Sequence, residues 1–398
     1  MNTIALIIMS YKTLCGFPVI IRIMYLPFMD HPPPEENQDF LSRQLITYIG
    51  NKRSLLPFIG EALEAVKKRL GRKKLRIFDA FSGSGAVARY FKAHAELLFV
   101  NDLEAYSQTI NRCYLANADE LPKRELREIH GGLLHRLREE PLRKGFIAEL
   151  YAPQDADNIK SGERAFYTPR NAMFIDTARQ YIENIDPALR HFFIAPLLSQ
   201  ASVHANTAGV FKGFYKDRHT GKGRFGGTGR DALSRITGDI ELPFPVWSNS
   251  NCPVKVFRED ANTLVSRIEE TDLAYFDPPY NQHPYGSNYF MLNLILSYQR
   301  PQAVSPVSGI PPDWNRSAYN KRQEAARAFG ELVEKTASKF ILVSFNSEGF
   351  IAPNEMRAML EKTGKVDVLE TTYNTFRGSR NLRERQTHVR EYLFLVEK

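Results

Sequence analysis

The stretch Phe78-Asp79-Ala80-Phe81-Ser82-Gly83-Ser84-Gly85 constrains the fold of this chain most. An apolar run over 75–79 passes through a glycine turn into a helix-like stretch to about His94, then a strand-like run Leu97 to Val100 ends in Asn101-Asp102. Strand, glycine turn, helix and strand make the opening of a doubly wound α/β sheet, whose ligands sit at the carboxyl ends of the strands. Further strands are expected near 254–258, 273–276, 339–345, 366–371 and 390–396. The turn lacks a full Gly-x-Gly-x-x-Gly pattern, so order and context carry the reading. Asp102 lies roughly 20 residues past the glycines, where a ribose diol is normally held. Asp260, after the apolar run Val254 to Phe257, is expected at the adenine of a nucleotide-like cofactor. Asp79, Phe81, Gly83 and Gly85 complete the expected cofactor side.

A second motif, Asp277-Pro278-Pro279-Tyr280, follows the apolar run Leu273 to Phe276, at the end of a buried strand. A bland reading makes it a strand stop, since proline ends regular structure and aspartate favours turns. Its chemistry suggests more. The Asp277 carboxylate and the Pro278 carbonyl are an acceptor pair on a backbone stiffened by two prolines. Such a pair suits an exocyclic aromatic amine, whose lone pair is delocalised until its hydrogens are held. Tyr280 then offers a stacking face for a base taken out of a duplex. The residues imply amine methylation from S-adenosylmethionine by direct displacement, with no metal and no covalent intermediate.

The motif order resembles the alpha group of DNA adenine methyltransferases that modify the exocyclic amine. Tyr48-Ile49-Gly50-Asn51-Lys52-Arg53, followed by the amphipathic stretch Leu55 to Leu70, resembles that group's first motif. The resemblance implies that Tyr48, Asn51 and Lys52 lie near the methionine part of S-adenosylmethionine. Phe81 to Gly85 is similar to the group's glycine loop, Ile341 to Asn346 to a later strand motif, and Arg377 through Val396 to its closing basic hairpin and last strand. It covers roughly residues 43 to 398 and is thin between 105 and 250. It departs in Ala86-Val87 after the glycine loop and in Asn281 to Asn293, which receives no single role. The implied fold is an S-adenosylmethionine-dependent methyltransferase (Rossmann-like) doubly wound sheet with an inserted, mainly helical target-recognition region. Residues 43–104 and 254–398 are expected to form the catalytic domain and 105–253 the insert. The implied activity is site-specific methylation of a flipped adenine in double-stranded DNA, with a cognate restriction endonuclease as partner. Rivals are cytosine amine methylation, for which serine in place of Asp277 would be typical; RNA or protein methylation, where asparagine more often opens the tetrapeptide; and a catalytically silent DNA-binding scaffold.

Charge distribution supports a phosphate-rich partner. Between Lys212 and Arg235, seven basic residues (Lys212, Lys216, Arg218, Lys222, Arg224, Arg230, Arg235) face Asp217 and Asp231, a net +5. Arg377, Arg380, Arg383, Arg385 and Arg390 against Glu384 add +4, while the whole chain is +8, so the remainder is close to neutral. Localised positive charge is an electrostatic footprint for nucleic acid. Lys212, Lys216, Arg218, Lys222, Arg224, Arg230, Arg377, Arg380 and Arg383 are the expected DNA contacts. Leu121 to Leu150 reads as a solvated helical pair and Phe192 to Val203 as a core helix. The cysteines Cys15, Cys113 and Cys252 are too scattered for a disulfide framework or zinc site, which fits a reducing cytoplasm, and none follows proline as in cytosine carbon-5 chemistry. Residues 1–42 read as a non-native or disordered extension: the longest uncharged run, Met1 to Tyr11, is shorter than the ~18 residues of a membrane span.

Overall fold

Parallel strands in the order expected of a doubly wound sheet dominate this computed structural model, which describes residues 36–227, 229, 231–374 and 388–398, and the backbone of 12–14 and 17–19. The strands are β1 (Leu75–Asp79), β2 (Ala95–Asn101), β3 (Val254–Phe257), β4 (Thr271–Phe276), β5 (Ser338–Asn346), β6 (Lys365–Asn374) and β7 (His388–Glu397). Their spatial order is β3-β2-β1-β4-β5-β7-β6. The first five run parallel, and β7 is antiparallel to both β5 and β6. All seven expected strands are present, within a few residues at each end. Lys12–Leu14 and Phe17–Val19 form a separate antiparallel pair.

Strand order reverses between β1 and β4, and such a switch point opens a crevice at the carboxyl ends of the strands. Register places Asp79 opposite Tyr275. The turn that follows β4 therefore comes up beside the one that follows β1. Because β7 is antiparallel, its beginning lies at the same edge, with Glu391 opposite Asn346.

The two faces of the sheet are sorted by strand periodicity. Ile77, Leu273 and Tyr275 pack with Ile59, Leu63 and Phe91 of helices α1 (Leu56–Leu70) and α2 (Ala86–Lys92). Phe78, Ala274 and Phe276 pack the other way, against Phe329 and Leu332 of Arg322–Lys335 and Met356 of Pro353–Leu360. Proline in its first turn, basic residues in its last and Gly71 at φ +63 delimit α1.

The expected helical segment contains α3 (Ala105–Tyr114), α4 (Lys123–Glu139), α5 (Phe146–Tyr151), α6 (Pro169–Ile182) and α7 (His191–Val203). The pair expected over 121–150 is present as α4 and α5, but only α4 is solvated, since Phe146, Ile147, Ala148 and Tyr151 bury most of α5 in the core; α7 is buried on nearly all sides. These helices share one apolar core with Tyr289 and with Met291 and Ile295 of α8 (Phe290–Ser297), so they are anchored from beyond the Asp-Pro-Pro-Tyr turn. Leu45 and Ile46 join that core.

The expectation that nothing up to residue 42 is structured needs correction. Gln38–Ser42 is a helix capped by the Asn37 side chain, with Phe40 fully buried. The buried Arg89 guanidinium donates to the Phe40 and Arg43 carbonyls, and buried Glu36 accepts from the Ser248 hydroxyl at 2.5 Å. The apolar and acidic groups of this segment fill places in the fold that composition alone did not reveal. Among the described residues no helix is long and apolar enough to cross a membrane.

Candidate active site

The glycine turn is built by backbone bonds to both neighbouring strands: Ala80 donates to the Tyr275 carbonyl at 3.1 Å and Ser82 to that of Asn101 at 2.9 Å. Gly83 and Gly85 have φ of +51° and +76°, a region that L side chains rarely adopt. A Cβ on Gly83 would lie 2.7 Å from the Tyr48 ring, and one on Gly85 2.6 Å from Asn111 Oδ1. Glycine is required twice here, for conformation and for space.

Two cavities meet around this turn. The larger, about 700 Å³, is walled by Phe81, Asp102, Glu104, Asp260, Pro279 and Tyr319, among others. The smaller, about 290 Å³, is walled by Asn51, Lys52, Asp79, Ser82, Gly83 and Tyr275. Tyr48, Gly50, Phe81 and Asp277 line both. Of the residues expected on the cofactor side, Tyr48, Asn51, Lys52, Asp79, Phe81, Gly83, Asp102 and Asp260 line one cavity or the other, and Gly85 sits behind them.

The carboxylates differ in what holds them. Asp102 accepts from the backbone N–H of Gly83 at 2.8 Å and of Glu104 at 2.9 Å. Burial raises it to about 6, against the pull of those amides. Asp260 caps a short helix, accepting from the Thr263 N–H at 3.1 Å. Asp79 is fully buried, and neither of its carboxylate oxygens has a hydrogen-bond partner among the described residues. Burial, then the charge of Asp277, pushes it well above the usual carboxylate range, opposed only by the nearby Phe81 backbone N–H, which is not at hydrogen-bond geometry. An unpartnered buried carboxylate is costly unless a donor or cation completes it. A donor or cation that completes Asp79 could reach it from the smaller cavity, which it lines.

Asp277 stands where the cavities join. Its Oδ1 is 3.2 Å from Lys52 Nζ, which is also 2.9 Å from Glu391 Oε1. Burial raises Asp277 to about 7, with Glu391 adding to the effect and Lys52 opposing it. Burial alone would lower the Lys52 ammonium, but Asp277 and Glu391 together hold it well above its ordinary value. The lysine expected beside the cofactor thus lies equally beside the acid of the Asp-Pro-Pro-Tyr turn. Tyr280 packs its edge against Phe345, with ring centroids 5.9 Å apart, and its carbonyl accepts from the Phe350 N–H at 3.0 Å.

Sequence reasoning missed an aromatic wall and two carboxylates. Tyr48 stacks on Tyr285 at 5.0 Å and on Tyr289 at 4.8 Å, and the Tyr289 hydroxyl accepts from the Ile49 N–H at 2.7 Å. The four-residue spacing of Tyr285 and Tyr289 was the available signal for a shared helical face. Glu104 is pushed up to about 7 by burial and accepts from the Asn293 amide at 2.7 Å and the Asn315 amide at 3.2 Å. Glu391 carried no local signal at all.

On the basic side, Lys216 bridges to Gly223 in a tight reversal whose Asp217 carboxylate accepts from the His219 and Thr220 amides. That arrangement leaves Lys216, Arg218, Lys222 and Arg224 exposed around one tip. Lys212 is exposed nearer the crevice, where its charge, after burial, lowers His283 in the loop following Tyr280. The Phe211 N–H ties this segment to the Asn288 carbonyl at 2.8 Å. Arg230, Arg377, Arg380 and Arg383 lie outside the described residues.

The sequence is similar to known proteins along most of its length. The family profile of the D12 class N6 adenine-specific DNA methyltransferase matches residues 48–359. The Type II methyltransferase M.NlaIII of Neisseria lactamica is 30% identical over 89% of this chain and 99% of its own length. M.CviAII of Paramecium bursaria Chlorella virus 1 is 29% identical over 88% and 98%, respectively. M.FokI of Planomicrobium okeanokoites is 27% identical over 88% of this chain, which spans 52% of that larger protein. With the crevice, the glycine turn and the Asp-Pro-Pro-Tyr turn in these positions, the chain belongs to the D12 class of N6 adenine-specific DNA methyltransferases.

Proposed function

We propose that this enzyme binds S-adenosylmethionine across the two cavities and methylates the exocyclic amine of an adenine extruded from duplex DNA. The observation that carries the reading is the position of Asp277 on the shared wall of both cavities. Asp102 and Asp260 would face the nucleoside of the cofactor, and Asp79 its ammonium. When bound, S-adenosylmethionine supplies a methyl group made electrophilic by its sulfonium. Everything else falls to the protein. Asp277 and the Pro278 carbonyl accept the two amine hydrogens, localising the nitrogen lone pair. The nitrogen gives up one proton as it gains the methyl group, and Asp277, raised to about 7, is the base in reach. Tyr280 supplies the stacking face for the extruded base.

Lys212, Lys216, Arg218, Lys222 and Arg224 would hold phosphates, as would Arg230, Arg377, Arg380 and Arg383. Residues 43–104 with 254–398 would form the catalytic domain and 105–253 the target-recognition part. The relatives' names, Type II methyltransferases, support a restriction-modification role; a cytoplasmic location and a cognate endonuclease as partner belong to the same proposal. Asp277→Ala should lower single-turnover methyl transfer at least about a thousandfold, by loss of a preorganised acceptor, while filter retention of DNA changes little. Full activity in this variant would refute the assignment.

A further inference from the structure

Glu391 is fully buried on the last strand, 339 residues from Lys52, yet its carboxylate approaches the Lys52 ammonium to 2.9 Å, closer than Asp277 does at 3.2 Å. The antiparallel course of β7 brings it there. Opposite, the Ser344 hydroxyl donates to Glu391 Oε1 at 2.6 Å and fixes the carboxylate. Glu391 Oε2 has no hydrogen-bond partner among the described residues. Burying two carboxylates around one ammonium is not the arrangement that stability alone favours, because each desolvated charge is costly and one is left uncompensated.

A function follows from what Asp277 would experience without Glu391. A single buried Lys52–Asp277 pair would be strong in this low-dielectric setting. The carboxylate would then be engaged by the ammonium and less able to accept an amine. We infer that Glu391 is a positioning residue for methyl transfer, sharing the Lys52 ammonium so that the Asp277 carboxylate stays available to the target amine. The inference rests on the proposed role of Asp277 and extends it to a residue that touches neither substrate nor cofactor.

Glu391→Gln tests this directly, since the amide oxygen still accepts from Ser344 while the charge is lost. In the variant Lys52 belongs to Asp277 alone. The turnover rate on DNA at saturating cofactor should fall about tenfold or more, the cofactor KM should stay within about twofold, and the acid limb of the kcat–pH profile should move about one unit lower. Lys52→Met/Glu391→Gln, which removes the whole pair and is expected to fold because neutral replacement of buried charges is often tolerated, should move that limb higher than wild type. The other titratable groups facing Asp277 are Tyr275, Tyr280, Tyr285 and Asp79, all raised chiefly by burial. They are common to every variant, so the opposed shifts report on Lys52 and Glu391. Limbs that stay in place, with activity falling only in step with melting temperature, would overturn the inference and leave Glu391 as a structural residue. Full activity of Asp277→Ala would instead remove the reading on which it rests.

Discussion

Asp79 and Asp277 are neighbouring acids, the first fully buried and the second partly exposed, with opposite relations to their surroundings, and they predict different behaviour. The Asp79 carboxylate meets no hydrogen-bonding side chain among the described residues, so Asp79→Asn should leave the melting temperature of the cofactor-free enzyme unchanged or higher. Its affinity for S-adenosylmethionine should fall about thirtyfold or more, the consequence of losing one member of a desolvated charge pair. Calorimetric titration and thermal scans on the same samples check both halves. Asp277 is lifted from an ordinary 3.8 to about 7, and in the proposed mechanism its ionised form accepts the amine. Turnover should therefore be lost as pH falls through about 7, far above the range of an exposed aspartate. For stability the sign is reversed: between about 4 and 7 the native state holds a proton that the unfolded chain has released, so the contribution of Asp277 to folding is lost as pH rises through that window. Asp277→Asn should flatten that part of the stability profile of the cofactor-free enzyme.

The glycine turn and the first helix make predictions that belong to elements. Gly83→Ala places a Cβ against the Tyr48 ring at a positive φ, so it strains the turn and the Tyr48 stack together. We expect cofactor affinity to fall about tenfold or more, with a loss of stability on the order of 1–2 kcal/mol from the backbone term, read by binding titration and denaturant melts. Phe40→Ala should cost about 3–5 kcal/mol, which a denaturant melt would show and which a segment outside the fold could not produce. Elements of this kind were legible to the degree that their signals were local. Apolar runs ending in an acid or glycine marked β1, β2 and β4, since the alternation and the turn lie within one window of sequence. Phe40 was not legible, because its aromatic ring sits beside a proline-rich, acidic stretch whose composition resembles a flexible lead. Its partner Arg89 lies on a helix 49 residues away. Lys52 was assigned to the cofactor alone because Glu391 and Asp277 reach it only through strand order and the antiparallel turn of β7.

At the scale of the whole molecule, the excess positive charge is concentrated in two segments of the sequence, and among the described residues Lys216, Arg218, Lys222 and Arg224 are exposed at one tip. Replacing Lys216, Arg218, Lys222 and Arg224 by alanine should reduce the slope of log affinity for DNA against log salt by up to about 3.6, if each neutralises one phosphate. Fluorescence anisotropy at several salt concentrations measures that slope, and an unchanged slope would remove the reversal from the DNA interface. The helices of the expected recognition region are not a detachable unit, since α3 to α7 share their core with α8, beyond the Asp-Pro-Pro-Tyr turn. Sites on that region and on the catalytic sheet are thereby held in one frame, as extrusion of a base into a fixed pocket requires. In the proposed reaction this frame delivers an adenine amine to Asp277. Its most direct test is incubation of the enzyme with methyl-labelled S-adenosylmethionine and unmodified duplex DNA at low salt, followed by nucleoside analysis. Wild type should place label in N6-methyldeoxyadenosine and Asp277→Ala should place none; label in N4-methyldeoxycytidine, or none in DNA from wild type, would rule out delivery of an adenine amine to Asp277.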